Sequence, residues 1–230
     1  MTNRICLALD TPDLTRAIHL ARTLKNHVGF LKVGMEFFYA QGAGAYETLA
    51  AEGLPIFLDL KLHDIPNTVE QGLRSLMQLA PPPAIINVHA QGGLAMMQAA
   101  RKAVPSSTKL IAVTVLTSLS KDDCINTGHD PEHSTADLAM ILAQLTHQAG
   151  LDGVVCSPHD LEVIRTMLPR EFMTVVPGIR PAGADAQDQK RIATPKAAVD
   201  AGADVLVIGR AITGAADPAA AAQAILQSLA

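Results

Sequence analysis

Short apolar runs recur along this chain, separated by longer stretches of helical periodicity, and that alternation limits the fold more than any single motif. The runs fall at Ile5 to Asp10, Gly29 to Val33, Ile56 to Lys61, Ile85 to His89, Leu110 to Leu116, Gly153 to Cys156, Thr174 to Pro177 and Val205 to Ile208. Between them lie helical signals. Asp13 opens the segment Leu14-Thr15-Arg16-Ala17, Asn67 opens Thr68 to Leu79, and further helices are expected over Ala136 to Gln148, Asp160 to Leu168 and Pro218 to Leu229. Ala149-Gly150-Leu151-Asp152 is echoed by Ala201-Gly202-Ala203-Asp204, each followed by an apolar run, as repeated helix-to-strand turns would require. Near-continuous apolar strands joined through helices need a parallel sheet covered by helices. Eight such units in 230 residues favour closure, giving an α/β fold of the (β/α)8 TIM-barrel type, one domain over residues 1–230. A doubly wound open sheet is the competing architecture, but no dinucleotide-type glycine fingerprint follows the first run.

The remaining segments read as loops. Pro81-Pro82-Pro83 is a stiff turn, Lys121 to Ser134 a polar loop after the fifth run, and Ala182 to Arg191 a polar loop after the seventh. With 49% hydrophobic residues the chain can bury a substantial core. Its net charge is -4 and no long basic run occurs, so neither a nucleic-acid nor an anionic-membrane partner is expected. Aromatic residues make up 3% and tryptophan is absent, which also disfavours base-stacking platforms. No run reaches membrane-spanning length. Cys6, Cys124 and Cys156 are scattered and odd in number, so a disulfide framework is not expected. With no signal peptide visible after Met1, a cytoplasmic location is expected.

Charge at the ends of the apolar runs points to chemistry. In Ile56-Phe57-Leu58-Asp59-Leu60-Lys61 the strand period places Asp59 and Lys61 on one face, about 7 Å apart along the backbone. Opposite charges inside a hydrophobic strand are costly to desolvate, so a solubility role explains them poorly. Barrels of this kind carry their sites at the C-terminal ends of the strands, and the residues ending the runs here include Asp10, Lys32, Asp59, Lys61, His89, Thr117, Ser118, Arg180 and Arg210. Phosphate sites in such barrels commonly use the loops after strands seven and eight. Those loops read Pro177-Gly178-Ile179-Arg180 and Ile208-Gly209-Arg210, each pairing a glycine with an arginine suited to bidentate anion binding. A phosphorylated substrate is expected. His89 is set aside as a structural histidine. His129 and His133 have metal-like spacing, but Pro131 interrupts any helix between them and no third ligand is evident, so no metal site is expected.

The stretch Phe57-Leu58-Asp59-Leu60-Lys61-Leu62-His63-Asp64-Ile65-Pro66-Asn67-Thr68, with Lys32, Leu116-Thr117-Ser118, Pro177-Gly178-Ile179-Arg180-Pro181 and Ile208-Gly209-Arg210, resembles the orotidine 5'-phosphate decarboxylase family. The resemblance runs from Leu7 to the final helix. It implies a carboxy-lyase of de novo pyrimidine biosynthesis, a (β/α)8 barrel and a homodimer, without cofactor or metal. It further implies that Lys32, Asp59, Lys61 and Asp64 form an alternating charged array, with Asp64 and Thr68 reaching into a partner's site. Lys61 would donate a proton to C6 of the pyrimidine, Asp59 would lie beside the substrate carboxylate, and Lys32 and Asp10 would hold ribose hydroxyls. Ser118, with Thr117, would face the pyrimidine amide. Gln189, Gly209, Arg210 and Arg180 would bind the phosphate.

The chemistry calls for such residues. Loss of carbon dioxide from C6 leaves an electron pair in the ring plane, out of reach of enolate delocalisation, so fixed charge must stabilise it. A protonated lysine aimed at C6 serves as counter-charge and acid. Binding energy from the remote phosphate can be used to close the 182–191 loop over the ring. The main rival is a magnesium-dependent sugar-phosphate decarboxylase or aldolase with the same Asp-x-Lys-x-x-Asp pattern. Its metal site needs a further acid where this chain has Lys32. A phosphate-ligand sensor without catalysis is a second rival, which would have no use for a desolvated Lys61.

Overall fold

The computed structural model describes residues 3–181 and 192–229. Among these residues, β1 (Ile5–Leu9), β2 (Phe30–Gly34), β3 (Ile56–Leu62), β4 (Ile85–His89), β5 (Lys109–Val113), β6 (Gly153–Val155), β7 (Met173–Val176) and β8 (Val205–Ile208) pair in parallel in chain order. The register Ile5↔Leu206, Cys6↔Val207 and Leu7↔Ile208 closes the last strand onto the first. The expected barrel is the one observed. The strands are apolar on both faces because both faces are buried. Along β1, Ile5, Leu7 and Leu9 join the core shared with the helices, whereas Cys6 and Ala8 pack inside the barrel with Phe57, Ile85, Ile111, Val175, Val205 and Val207.

The outer ring is built from α1 (Leu14–Leu24), α2 (Met35–Ala50), α3 (Pro66–Leu76), α4 (Gly93–Ala103), α5 (Lys121–Asn126), α6 (Thr135–Gln148), α7 (Leu161–Met167), α8 (Pro195–Asp200), α9 (Arg210–Thr213) and α10 (Pro218–Gln227). Asp13 caps α1 as its position suggested, accepting from the Thr15 and Arg16 amides at 2.8 and 3.2 Å. Among the described residues no helix is long and apolar enough to cross a membrane.

The repeated Ala-Gly-x-Asp motif has a common structural job. Gly150 and Gly202 take φ of 79° and 107°, ending α6 and α8 in the left-handed region where a side chain would be strained. Each following aspartate then holds the N-terminal end of the preceding strand. Asp152 accepts from the Leu110 amide of β5 at 2.9 Å and pairs with Arg101 and Lys109 at 2.7 and 3.0 Å. Asp204 accepts from the Thr174 amide of β7 at 2.9 Å and pairs with Arg165 and Arg170 at 2.5 and 2.6 Å. These clamps lie at the end of the barrel remote from the strand C-termini.

Several local expectations need correction. The 121–134 segment is not wholly loop: α5 begins there behind a capping box, with Asp123 accepting from the Ser120 amide at 2.8 Å. Six residues are too few to display a helical period. Asn67 does not open α3; Pro66 is its first residue, and Ile65 before it is extended, as a residue preceding proline tends to be. The fifth strand stops at Val113 rather than Leu116: the Thr114 amide makes the last ladder bond, to the Val155 carbonyl at 3.1 Å, its hydroxyl donates to the same oxygen at 2.9 Å, and the chain bends at Val115. Helix α2, which no cap residue announced, bends at Gly42, where φ is 74°.

Candidate active site

Strand period brings the first two charges inside. Phe30 and Phe57 face the barrel interior, so Lys32 and Asp59, two residues further on, point inward at its C-terminal mouth. The register sets Gly34 opposite Asp59, and a Cβ on Gly34 would come within 3.3 Å of the Lys32 ammonium. Asp59 is 8% exposed, and both its oxygens are engaged. Oδ1 accepts from Lys61 Nζ at 2.6 Å and from Asn87 Nδ2 at 2.7 Å; Oδ2 lies 3.3 Å from Lys32 Nζ. Lys32 also reaches Asp10 Oδ1 at 3.4 Å.

Burial pushes the Asp59 carboxyl up, but Lys32 and Lys61 outweigh it and leave it below its ordinary range. Burial pulls the Lys32 ammonium down, yet Asp59 and then Asp10 more than offset this, so it stays charged well into the alkaline range. Cys6, inside the barrel below them, is pushed up to about 12 by burial, which makes it a neutral filler rather than a nucleophile.

Lys61 and Asp59 do meet, but not by simple strand alternation. Among the described residues Lys61 alone, glycines apart, has a positive φ, 53°, and the β3–β4 register is broken between Leu58 and Leu62. A non-glycine residue held there costs about 1–2 kcal/mol. The backbone amide of Lys61 is held by Asn87 Oδ1 at 2.8 Å. Asn87, which sequence reasoning did not single out, is fully buried. The available signal was an amide in the middle of Ile85-Ile86-Asn87-Val88-His89.

Lys32, Asp59 and Lys61 line a cavity together with Thr117 and the apolar side chains of Phe57, Val113, Val155, Pro177 and Val207, with Cys156 among them. A flat ring with one charged edge suits such a pocket. Beside Lys61 the rings of His63 and His89 stack with centroids 5.3 Å apart and planes 18° from parallel. Burial, then His63 and Lys61, push His89 down to about 4, so the imidazole is neutral at neutral pH.

The other expected residues sit around this mouth, though not all at the cavity wall. Ser118 is exposed in the turn next to Thr117, and Asp10 is exposed at the end of β1. Gly209 lies against β1: a Cβ there would come within 3.3 Å of Ala8 Cβ and 3.4 Å of Asp10 Oδ2. Arg210, exposed, begins α9. Arg180, 8% exposed, donates from Nη1 to the Ile179 carbonyl at 3.0 Å and from its amide to Ala193 at 2.9 Å. Gln189 and the 182–191 loop lie outside the described residues. Asp64 and Thr68 are exposed on the rim; Asp64 accepts from the Ile65 amide at 2.7 Å, and within one chain the two are not drawn into the Lys32–Asp59–Lys61 cluster. His129 Nε2 lies 3.0 Å from Gln91 Nε2, and no group of three potential metal ligands gathers among the described residues.

Fold and site together define a (β/α)8-barrel enzyme whose mouth is built on paired lysine and aspartate charges. Residues 3–225 match the model of the orotidine 5'-phosphate decarboxylase / HUMPS family. The chain is 52% identical over 229 residues to orotidine 5'-phosphate decarboxylase of Novosphingobium aromaticivorans, covering 100% of both chains. It is 50% identical to the protein of that name from Rhodospirillum rubrum, over 97% of this chain and 92% of the relative. The crystal structure of orotidine 5'-phosphate decarboxylase from Lactobacillus acidophilus superposes with a TM-score of 0.84 at 36% identity, covering 99% of each chain. The chain therefore belongs to the orotidine 5'-phosphate decarboxylase / HUMPS family.

Proposed function

We propose that this chain is a carboxy-lyase that converts orotidine 5'-monophosphate to uridine 5'-monophosphate in de novo pyrimidine biosynthesis. The observation that carries the reading is the Lys32–Asp59–Lys61 cluster, centred on a buried aspartate and lining a largely apolar cavity, in a chain half identical to relatives named for this activity.

The pyrimidine lies in the cavity with C6 towards Lys61 and its carboxylate beside Asp59. Two like charges there raise the bound substrate; as the bond from C6 to the carboxyl carbon breaks, neutral carbon dioxide leaves and the negative charge moves away from Asp59 onto C6. The electron pair left at C6 meets the Lys61 ammonium, already aimed by Asp59, once the bound ring has displaced water from this partly exposed side chain. Lys61 then delivers its proton to C6. Lys32 and Asp10 hold the ribose hydroxyls, and Thr117 and Ser118 face the pyrimidine amide. Arg180, Gly209 and Arg210, with Gln189, take the phosphate. None of these steps needs a metal or organic cofactor.

The site is completed in a homodimer by Asp64 and Thr68 of the partner subunit. In support, both side chains are exposed at the mouth, with Ile65 between them 66% exposed, so all three are accessible to a second chain. A cytoplasmic location agrees with three cysteines that are all free.

The test is a spectrophotometric assay with orotidine 5'-monophosphate in excess chelator. Decarboxylation unaffected by chelator is expected. Turnover of a sugar phosphate that chelator abolishes would favour the magnesium-dependent alternative, which Lys32 disfavours by placing a cation at the metal position.

A further inference from the structure

We infer that Asn87 is a positioning residue for this reaction: its side-chain amide fixes Lys61 and Asp59 in the mutual arrangement that aims the ammonium into the cavity. The inference rests on the assignment of Lys61 as the acid.

Asn87 shares its strand parity with Ile85, which packs inside the barrel, while Ile86 and Val88 face the helices. It is a fully buried polar side chain in an interior otherwise occupied by Cys6, Phe57 and Ile111, where every polar atom needs a partner. Each end of its amide has one. Oδ1 accepts from the Lys61 backbone amide at 2.8 Å, and Nδ2 donates to Asp59 Oδ1 at 2.7 Å. The orientation is unambiguous, because flipping the amide would set carbonyl against carboxylate and NH2 against N–H.

One rigid plane thus links the two ends of the lysine. The backbone end is pinned in the left-handed conformation by Oδ1; the ammonium end is held by Asp59, which Nδ2 orients. Without Asn87 the Lys61 amide loses its partner, and the strained φ of 53° loses the hydrogen bond that holds it from the amide side. An extended Lys61 would redirect its side chain. A core-filling role would ask only for volume, which Leu or Ile would supply. The amide is required only if its two opposed hydrogen-bonding ends matter.

The test compares wild type, N87A and N87D for kcat, KM, uridine 5'-monophosphate affinity and thermal melting. In N87A kcat is expected to fall about 100-fold, the cost of an ångström-scale misplacement of a reacting group. KM and nucleotide affinity should stay within about threefold, since the phosphate grip lies elsewhere. N87D carries the distinguishing signature. Ionised, the new carboxyl opposes Asp59; protonated, it presents one O–H donor and one C=O acceptor and reproduces the amide. Its kcat should therefore rise, relative to wild type, as pH falls into the carboxylic-acid range. A folded N87D that follows the wild-type pH profile, or is equally impaired at every pH, overturns the inference, as does N87A with kcat within threefold of wild type. If N87A does not fold, N87D decides; if neither folds, Asn87 serves the fold and the inference fails. A wild-type protein inactive on orotidine 5'-monophosphate would instead sink the functional assignment itself.

Discussion

On the proposed mechanism, replacing Lys61 with alanine removes two contributions at once. The first is a preorganised positive charge at the developing carbanion; loss of one such donor costs roughly 10²–10³ in rate, or about 2.7–4 kcal/mol. The second is the proton donor, for which a positioned acid supplies about 10²–10⁴. Taken together, turnover in K61A should fall by on the order of 10⁵, about 7 kcal/mol at 1.36 kcal/mol per decade. The variant should still fold. Asp59 keeps Lys32 at 3.3 Å and Asn87 at 2.7 Å, so its carboxylate is not left unpaired in the barrel. A destabilisation of about 1–3 kcal/mol is expected, below the cost of orphaning a buried charge. Affinity for uridine 5'-monophosphate, read by calorimetry, should change less than about threefold, because Arg180 and Arg210 sit on other loops. Turnover within tenfold of wild type, in an assay following nucleotide absorbance, would refute the role given to Lys61. A parallel collapse of nucleotide binding would equally contradict the separation of phosphate grip from chemistry.

Other consequences are open to direct measurement. His89 is held down to about 4 while an unfolded histidine titrates near 6.5, so on acidification the unfolded state takes up that proton first. Stability should fall as pH drops from about 6.5 towards 4, and H89N should lose less over that window than wild type; equal losses in melts would refute the assignment. Asp204, kept below its usual range despite burial by the Thr174 amide and two arginines, anchors β7 far from the mouth. D204A should lose about 2–3 kcal/mol, lowering Tm by roughly 4–10 °C, with kcat of the folded enzyme unchanged. A changed kcat would show that the clamp reaches the site. If Asp64 acts across a dimer interface, mixing inactive K61A with inactive D64A should restore activity through hybrids containing one intact site. No recovery after subunit exchange would contradict a shared site.

The eightfold alternation and the charges ending the runs were legible because each rests on local period: a buried strand reads as an apolar run whatever its partners. Asp152 and Asp204 were visible as an echo for the same reason, although their role as clamps on β5 and β7 depends on contacts made across the sheet. Asn87 was not legible, since its function arises only when β4 lies beside the irregular end of β3. Nor could period predict the positive φ of Lys61, which departs from the strand geometry that any such rule assumes. Helix α5 was hidden by its length, and the start of α3 by the pull of Pro66 on the residue before it. The site role proposed for Asp64 and Thr68 needs a second chain, and one chain shows them as rim residues.

In the proposed reaction a fixed ammonium beside Asp59 stabilises a negative charge at C6. Protonation of that carbon must be reversible in principle, so the neutral amine of Lys61 should take the C6 proton of the product and, as the ammonium so formed, stabilise the carbanion while the proton exchanges with solvent. The direct measurement is exchange of the C6 hydrogen of uridine 5'-monophosphate for deuterium in heavy water, followed by proton NMR. Exchange by the wild-type protein well above the rate in buffer, and none above that rate with K61A, is the expected result. An active decarboxylase that leaves the C6 hydrogen unexchanged, or that exchanges it as fast without Lys61, would contradict the claim.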